Sequence, residues 1–141
     1  MTERLTAQDY PIAEKRPELA RGRQGKGLDE ITLDALGRGA VALEDLTITA
    51  DALRRQAEIA RSANRPTLAE NFERAAELVD VPQDVVMAVY ELLRPGRAKS
   101  AQDLVEAAAM LRETYGADRM AAFVEEAADV YERRGLFAFR F

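Results

Sequence analysis

Apolar residues recur every three or four positions through the second half of the chain, which is the period of an amphipathic α-helix. Several of these stretches begin at a proline or end at a glycine, and both residues suit helix boundaries. The pattern predicts a short helix over residues 29–40 and longer helices over residues 50–63, 66–79, 82–93, 100–115 and 118–134. We therefore expect an all-α fold, in which a compact helical body follows an extended N-terminal arm.

Residues 1–28 show no such period. Pro11, Pro17 and the glycines at positions 22, 25 and 27 interrupt any helix of useful length. The segment from Glu14 to Lys26 carries five basic and two acidic residues, although the whole chain has a net charge of −5. Because apolar anchors are few, we expect an extended arm that is ordered by the partner it lies against.

The last six residues, 136–141, form a separate feature. Phe137, Phe139 and Phe141 alternate with other residues, which predicts an extended tail with one apolar face. Exposed rings are unfavourable in water, so the tail packs either on its own body or on another subunit, and we favour a groove on another subunit. The predicted organisation is thus an arm over residues 1–28, a helical domain over 29–135 and an aromatic tail over 136–141.

The composition excludes several kinds of catalytic chemistry. The sequence contains no Cys and no His, which excludes thiolate nucleophiles, disulfides, Ser-His-Asp triads and metal sites built on Cys or His. The remaining acidic candidates, Glu125, Glu126 and Asp129, fall between the apolar positions of the last predicted helix, where a solvated face is expected. We expect no catalytic residue in this chain.

Binding of nucleotides, nucleic acids or membranes is not indicated either. Residues 22–27 resemble a phosphate-binding loop only in their glycines and Lys26, because Gly27 replaces the Ser or Thr that holds magnesium. The acidic body repels nucleic acid phosphates, and no apolar run approaches the about 20 residues of a membrane span. Since residues 1–10 also lack the apolar centre of a signal peptide, we expect a soluble, unexported protein.

Six segments carry a family resemblance through their order and spacing. They are residues 9–11 (DYP), 25–33 (GKGLDEITL), 56–60 (QAEIA), 71–78 (NFERAAEL), 89–95 (VYELLRP) and 122–124 (AFV), the last leading to Val130 and Tyr131. Together they resemble the small subunit of adenosylcobalamin-dependent diol and glycerol dehydratases. Two features depart from that family: Gly96 stands where a larger residue is usual, and the tail ends in phenylalanines instead of basic and polar residues.

The resemblance implies a complex of large, medium and small subunits, with two copies of each. In such enzymes the large subunit binds the diol and a metal ion, and cobalamin lies between the large and medium subunits. An adenosyl radical starts the removal of water from propanediol or glycerol, which leaves an aldehyde. The small subunit of this lyase is helical, non-catalytic and clasps the large one, so the resemblance implies that this chain binds neither cofactor nor metal ion.

We expect the arm and the tail to supply the contacts with the partner subunits. The candidate interface residues are Tyr10, Pro11, Lys26, Leu28, Phe137, Phe139 and Phe141. Tyr10 with Pro11 is the favoured anchor, because a rigid turn there presents a ring with a polar tip. The resemblance fits a cytoplasmic enzyme and also one inside a bacterial microcompartment, although residues 1–10 lack the amphipathic extension of some propanediol enzymes.

Two other functions remain open on the sequence alone. A free-standing helical adaptor would use the same arm to bind an acidic or apolar partner. The least favoured hypothesis is an independent enzyme whose catalytic groups are carboxylates. An obligate subunit is expected to be poorly soluble or to have a protease-sensitive arm when it is produced alone, whereas an adaptor or enzyme is expected to be a well-behaved monomer.

Overall fold

Seven α-helices and four short 3-10 helices make up the part of the chain that the computed structural model describes, residues 3–137. No β-strand occurs among these residues, and the predicted all-α fold is confirmed. The α-helices are α1 (Ile12–Lys15), α2 (Leu33–Gly37), α3 (Ala50–Ser62), α4 (Pro66–Leu78), α5 (Gln83–Leu93), α6 (Ala101–Tyr115) and α7 (Asp118–Arg134). The 3-10 helices are Ala7–Asp9, Pro17–Leu19, Leu28–Glu30 and Leu43–Leu46.

The chain divides into two compact units, Met1–Val79 and Asp80–Phe141. In the first unit, α3 packs against α4 through a cluster of small buried side chains: Ala57, Ala60 and Ala69, flanked by Leu68 and Phe72. The Thr49 side chain caps α3 by accepting a hydrogen bond from the Ala52 N–H at 3.0 Å. Arg61 of α3 pairs with Glu73 of α4 at 2.9 Å, so charge as well as apolar area joins the two helices.

The N-terminal arm belongs to this first unit and packs on α3, which corrects the expectation that a partner orders it. Leu5 and Ile12 are buried against Ile59 of α3, and Leu19 lies beside them. The Leu5 N–H donates to Glu58 Oε2 at 3.0 Å, and the Ala7 N–H donates to Ser62 Oγ at 2.6 Å. The arm's few apolar residues are far apart in sequence but converge on one helix. The boundary predicted after residue 28 does not coincide with the division between the two units, which lies after residue 79.

The second unit is centred on α6 and α7. Its largest fully buried side chains are Leu104 and Leu111 of α6 and Val124 of α7. Gly116 ends α6 in the left-handed region, with a φ of 65°, so the chain can turn at once into α7. Ser100 stands at the N-cap of α6, but its side chain makes no capping hydrogen bond. Asp103 accepts a hydrogen bond from the Lys99 N–H at 2.9 Å.

Phe137 of the aromatic tail lies on its own unit. It follows Gly135 in a turn, is partly buried, and its ring centroid is 6.1 Å from that of Tyr131 in an edge-to-face arrangement. Tyr131 in turn donates its hydroxyl hydrogen to the Leu93 carbonyl at the end of α5. Phe139 and Phe141 lie outside the described residues, so the packing predicted for them stays a prediction.

Candidate partner-binding surface

A cleft of about 530 Å³ opens in the first unit, and four of the seven predicted interface residues line it. These are Tyr10, Pro11, Lys26 and Leu28. Tyr10 and Leu28 are both more than half exposed, at 59% and 54%. The structure thus gathers the predicted residues of the arm at one place, whereas Phe137 lies in the other unit.

The glycine-rich loop forms one wall of the cleft. The Gly22 N–H donates to the Lys26 carbonyl at 2.9 Å, and Arg21 and Gly27 form an isolated antiparallel bridge. Gly25 has a φ of +84°, which favours glycine, and its carbonyl accepts a hydrogen bond from Arg21 at 3.2 Å. The loop amides and carbonyls therefore close a turn on themselves, which is not the open arrangement of a phosphate-binding loop.

Asp45, a residue that sequence reasoning did not identify, joins this loop to the 3-10 helix Leu43–Leu46. Its Oδ2 accepts hydrogen bonds from the Lys26 ammonium at 3.0 Å and from the Ala42 N–H at 2.8 Å, while its side chain is only 1% exposed. These two donors hold the pKa of Asp45 below its ordinary value of 3.8, the Ala42 N–H having the larger effect. The signal in the sequence was the acidic residue three positions after Ala42, the spacing of a capping box.

An exposed apolar surface extends from the cleft over residues 28–48. Six large apolar side chains in this segment are more than half exposed: Leu28, Leu33, Leu36, Leu43, Leu46 and Ile48. Leu33 and Leu43 are the most exposed of them, at 88% and 75%. A concentration of uncovered leucines is typical of a surface that another protein covers, so this segment has the properties of a subunit interface.

Comparisons with known proteins identify the family of this chain. Residues 5–138 match the family model described as dehydratase small subunit. The chain belongs to this family. The propanediol dehydratase small subunit of Citrobacter freundii is 45% identical over 126 residues, which cover 89% of this chain and 73% of that protein. Its counterpart in Salmonella typhimurium strain LT2 is 44% identical, with 89% and 72% covered.

In this member of the dehydratase small subunit family, the acidic residues of α7 form ion pairs or are exposed. Arg112 forms two hydrogen bonds with Glu125, at 2.6 and 3.1 Å, and they hold the pKa of Glu125 below its ordinary value of 4.5. Asp129 pairs with Arg133 at 3.1 Å, and Glu126 is exposed. Within residues 3–137 no three acidic side chains converge as metal ligands, and no helix there is long and apolar enough to cross a membrane.

Proposed function

We propose that this chain is the non-catalytic, structural subunit of a dehydratase that converts propane-1,2-diol to an aldehyde and water. The observation that carries the proposal is the 45% identity to a propanediol dehydratase small subunit across 89% of the chain. The uncovered leucines of residues 28–48 support it, because a subunit needs an apolar surface that its partners bury.

The proposed partners are the large and medium subunits of the same enzyme, in a complex with two copies of each subunit. Adenosylcobalamin, bound to those partners together with a metal ion, supplies the radical that this lyase chemistry needs. The present chain has no His, and the described carboxylates do not form a cluster that fits a metal ion. We therefore assign it the role of stabilising the assembly and no step of the reaction.

Co-expression tests this function directly. The large and medium subunits are produced with and without this chain, and aldehyde formation is measured with adenosylcobalamin and propane-1,2-diol, with glycerol as the second substrate. We expect one complex containing all three subunits, an active preparation only when this chain is present, and no activity of the chain alone. Recovery of that complex in the soluble fraction of broken cells would fit the proposed cytoplasmic or microcompartment location.

Two results would reject the proposal. Full activity of the large and medium subunits without this chain would show that it is not a required subunit. Failure of the chain to bind either subunit would instead favour a free-standing adaptor, whose arm binds an unrelated partner.

A further inference from the structure

Arg55 is a partly buried arginine of the first unit, and no carboxylate of residues 3–137 pairs with it. One N–H of its guanidinium donates to the Leu19 carbonyl at 3.0 Å, and no other bond to it is formed. Arg16 pairs with Asp9 at 3.2 Å, by contrast. A guanidinium has five N–H donors in a planar fork that matches a carboxylate, so Arg55 retains most of its binding capacity.

The acidic neighbours of Arg55 along α3 are bound elsewhere. Asp51 pairs with Arg54 at 3.7 Å, and Glu58 accepts the hydrogen bond from the Leu5 N–H. Both residues lie about one helical turn from Arg55, where an ion pair within the helix is usual. The Leu19 carbonyl thus holds the Arg55 side chain toward the arm and leaves its charge without a partner in the described chain.

Arg55 lines the cleft, which lacks a free carboxylate. Asp45, the one acidic residue along the cleft wall, is already bonded to Lys26. Arg55 also borders a second recess of about 380 Å³, where three carboxylates balance three guanidinium groups: Glu3, Asp51 and Glu58 against Arg16, Arg54 and Arg55. On the cleft wall the basic residues Arg21, Lys26 and Arg55 outnumber Asp45. An incoming anion is therefore favoured in the cleft over the recess.

The cleft also offers an unpaired amide and apolar walls. The Gln56 side chain lines it and makes no hydrogen bond within the described residues, so it can bind a peptide group. Leu46 and Ile48 border it and continue into the exposed apolar surface of residues 28–48. Apolar walls with a few convergent polar groups are the composition of a site that holds another chain's side chains.

We propose that the cleft holds a segment of the large dehydratase subunit that presents an Asp or Glu carboxylate to Arg55 and an apolar side chain to Leu46 and Ile48. This inference rests on the proposed function, because that function supplies the partner. The partner's carboxylate neutralises the Arg55 guanidinium, which has no carboxylate partner within the described residues, and its apolar neighbour covers the lip of the cleft.

Binding measurements on three variants test the inference. The variants are R55Q, R55K and the control R54Q, which removes an exposed arginine next in sequence that pairs with Asp51. Each small subunit is titrated against the assembled large and medium subunits, and its fold is checked by circular dichroism. We expect R55Q to weaken binding at least about thirtyfold, R55K to weaken it less, and R54Q to change it less than about fivefold. The affinity of the wild type is also expected to fall more steeply with added salt than that of R55Q.

A photocrosslinking amino acid at position 48 identifies the occupant. In the complex we expect it to label a peptide of the large subunit that contains an Asp or Glu. Replacing that acidic residue by Lys should weaken binding of the wild-type chain and should restore binding of R55E.

Three results would overturn the inference. R55Q binding within about fivefold of the wild type would show that Arg55 has no charged partner in the complex. Crosslinking to the medium subunit or to a second copy of this chain would show that the cleft holds a different occupant. Failure of the wild-type chain to bind either subunit would reject the proposed function itself, on which the identity of the partner rests.

Discussion

At the scale of single residues, Asp45 joins two stretches of chain that have no helix in common. It bonds to Lys26, 19 positions earlier, and to the Ala42 N–H at the start of a 3-10 helix. A buried carboxylate is stable only when such donors replace the water it has lost. The position of Lys26 and Leu28 at the cleft therefore depends on a residue that is itself almost hidden from solvent.

The lowered pKa of Asp45 predicts a specific pH dependence of stability. A carboxylate whose folded pKa lies below its unfolded value stabilises the fold above the ordinary pKa of 3.8, and that contribution disappears as the pH falls through the folded pKa. The D45N variant should therefore unfold at a lower temperature than the wild type at neutral pH, and the difference between them should shrink as the pH falls below about 4. Thermal unfolding followed by circular dichroism over this pH range measures both effects. A constant difference would show that the ionised form of Asp45 is not stabilised in the folded chain.

Gly22 gives a second test at the residue scale. A Cβ atom at this position would lie 2.6 Å from the backbone carbonyl oxygen of Asp45, so Gly22→Ala must displace the backbone. We expect a loss of about 1–3 kcal/mol in the free energy of unfolding, as for other overpacked sites. Gly37→Ala is the matched control, because nothing lies within 4 Å of its Cβ, and it should be neutral or up to about 1 kcal/mol more stable. Urea unfolding of both variants compares them, and equal stabilities would contradict the close approach.

At the scale of elements, periodicity predicted the helices of the core but not the packing of the arm. The predicted helix over residues 50–63 corresponds to α3, Ala50–Ser62, and its apolar residues Leu53, Ala57 and Ala60, spaced four and three positions apart, are all buried. Those residues repeat within one helix, so their shared face is visible in the sequence.

The arm and the cleft could not be derived in the same way, because their contacts join residues far apart in the chain. Leu5 and Ile12 contact Ile59 only after the chain has folded back, and no local periodicity in the sequence indicates that contact. Composition and resemblance indicate Tyr10 and Lys26 as interface residues, but only the structure shows that both line one cleft. The apolar residues Leu33 and Leu36 of the short helix after Thr32 are exposed, because the sequence shows amphipathicity but not which element covers an apolar face.

Leu104 tests the packing of α6. Its side chain is fully buried in the core of the second unit, whereas that of Val105, the next residue, is 41% exposed. We expect Leu104→Ala to lower the free energy of unfolding by about 2–5 kcal/mol, since it removes apolar contacts and leaves a cavity. The neighbouring Val105→Ala should cost less than about 1 kcal/mol. Chemical denaturation measures both, and a small loss at Leu104 would show that the core can collapse around the missing atoms.

At the scale of the whole molecule, the exposed leucines offer a larger surface for partner binding than any single ion pair. They cluster within residues 28–48, a segment with little helix that lies between the arm and α3. The Lys26–Asp45 bond holds this segment to the preceding loop. Within the segment, the Thr32 side chain caps α2 by accepting a hydrogen bond from the Ala35 N–H at 3.1 Å. The segment is therefore fixed in place while its leucine side chains stay uncovered.

Replacing these leucines should affect assembly without unfolding the chain. Leu43→Ser and Leu33→Ser each remove a side chain that is at least three-quarters exposed, so the free chain should keep its unfolding temperature. If a partner buries these side chains, each substitution should weaken binding to the large and medium subunits by about tenfold or more. Leu53→Ser, at a buried position, should lower the stability of the free chain as well. Unchanged binding by both exposed variants would show that the partners contact another surface.

The anchoring of the arm on α3 also has a consequence for the way the chain is made. Leu5 bonds to Glu58, 53 positions later, and Ala7 bonds to Ser62, 55 positions later. During translation the arm leaves the ribosome before α3, so its binding site does not exist until α3 has been synthesised. Closing a loop of this length costs entropy that local helix formation does not, so the arm packs after α3 has formed. The arm is thus synthesised before α3 but reaches its final contacts after it.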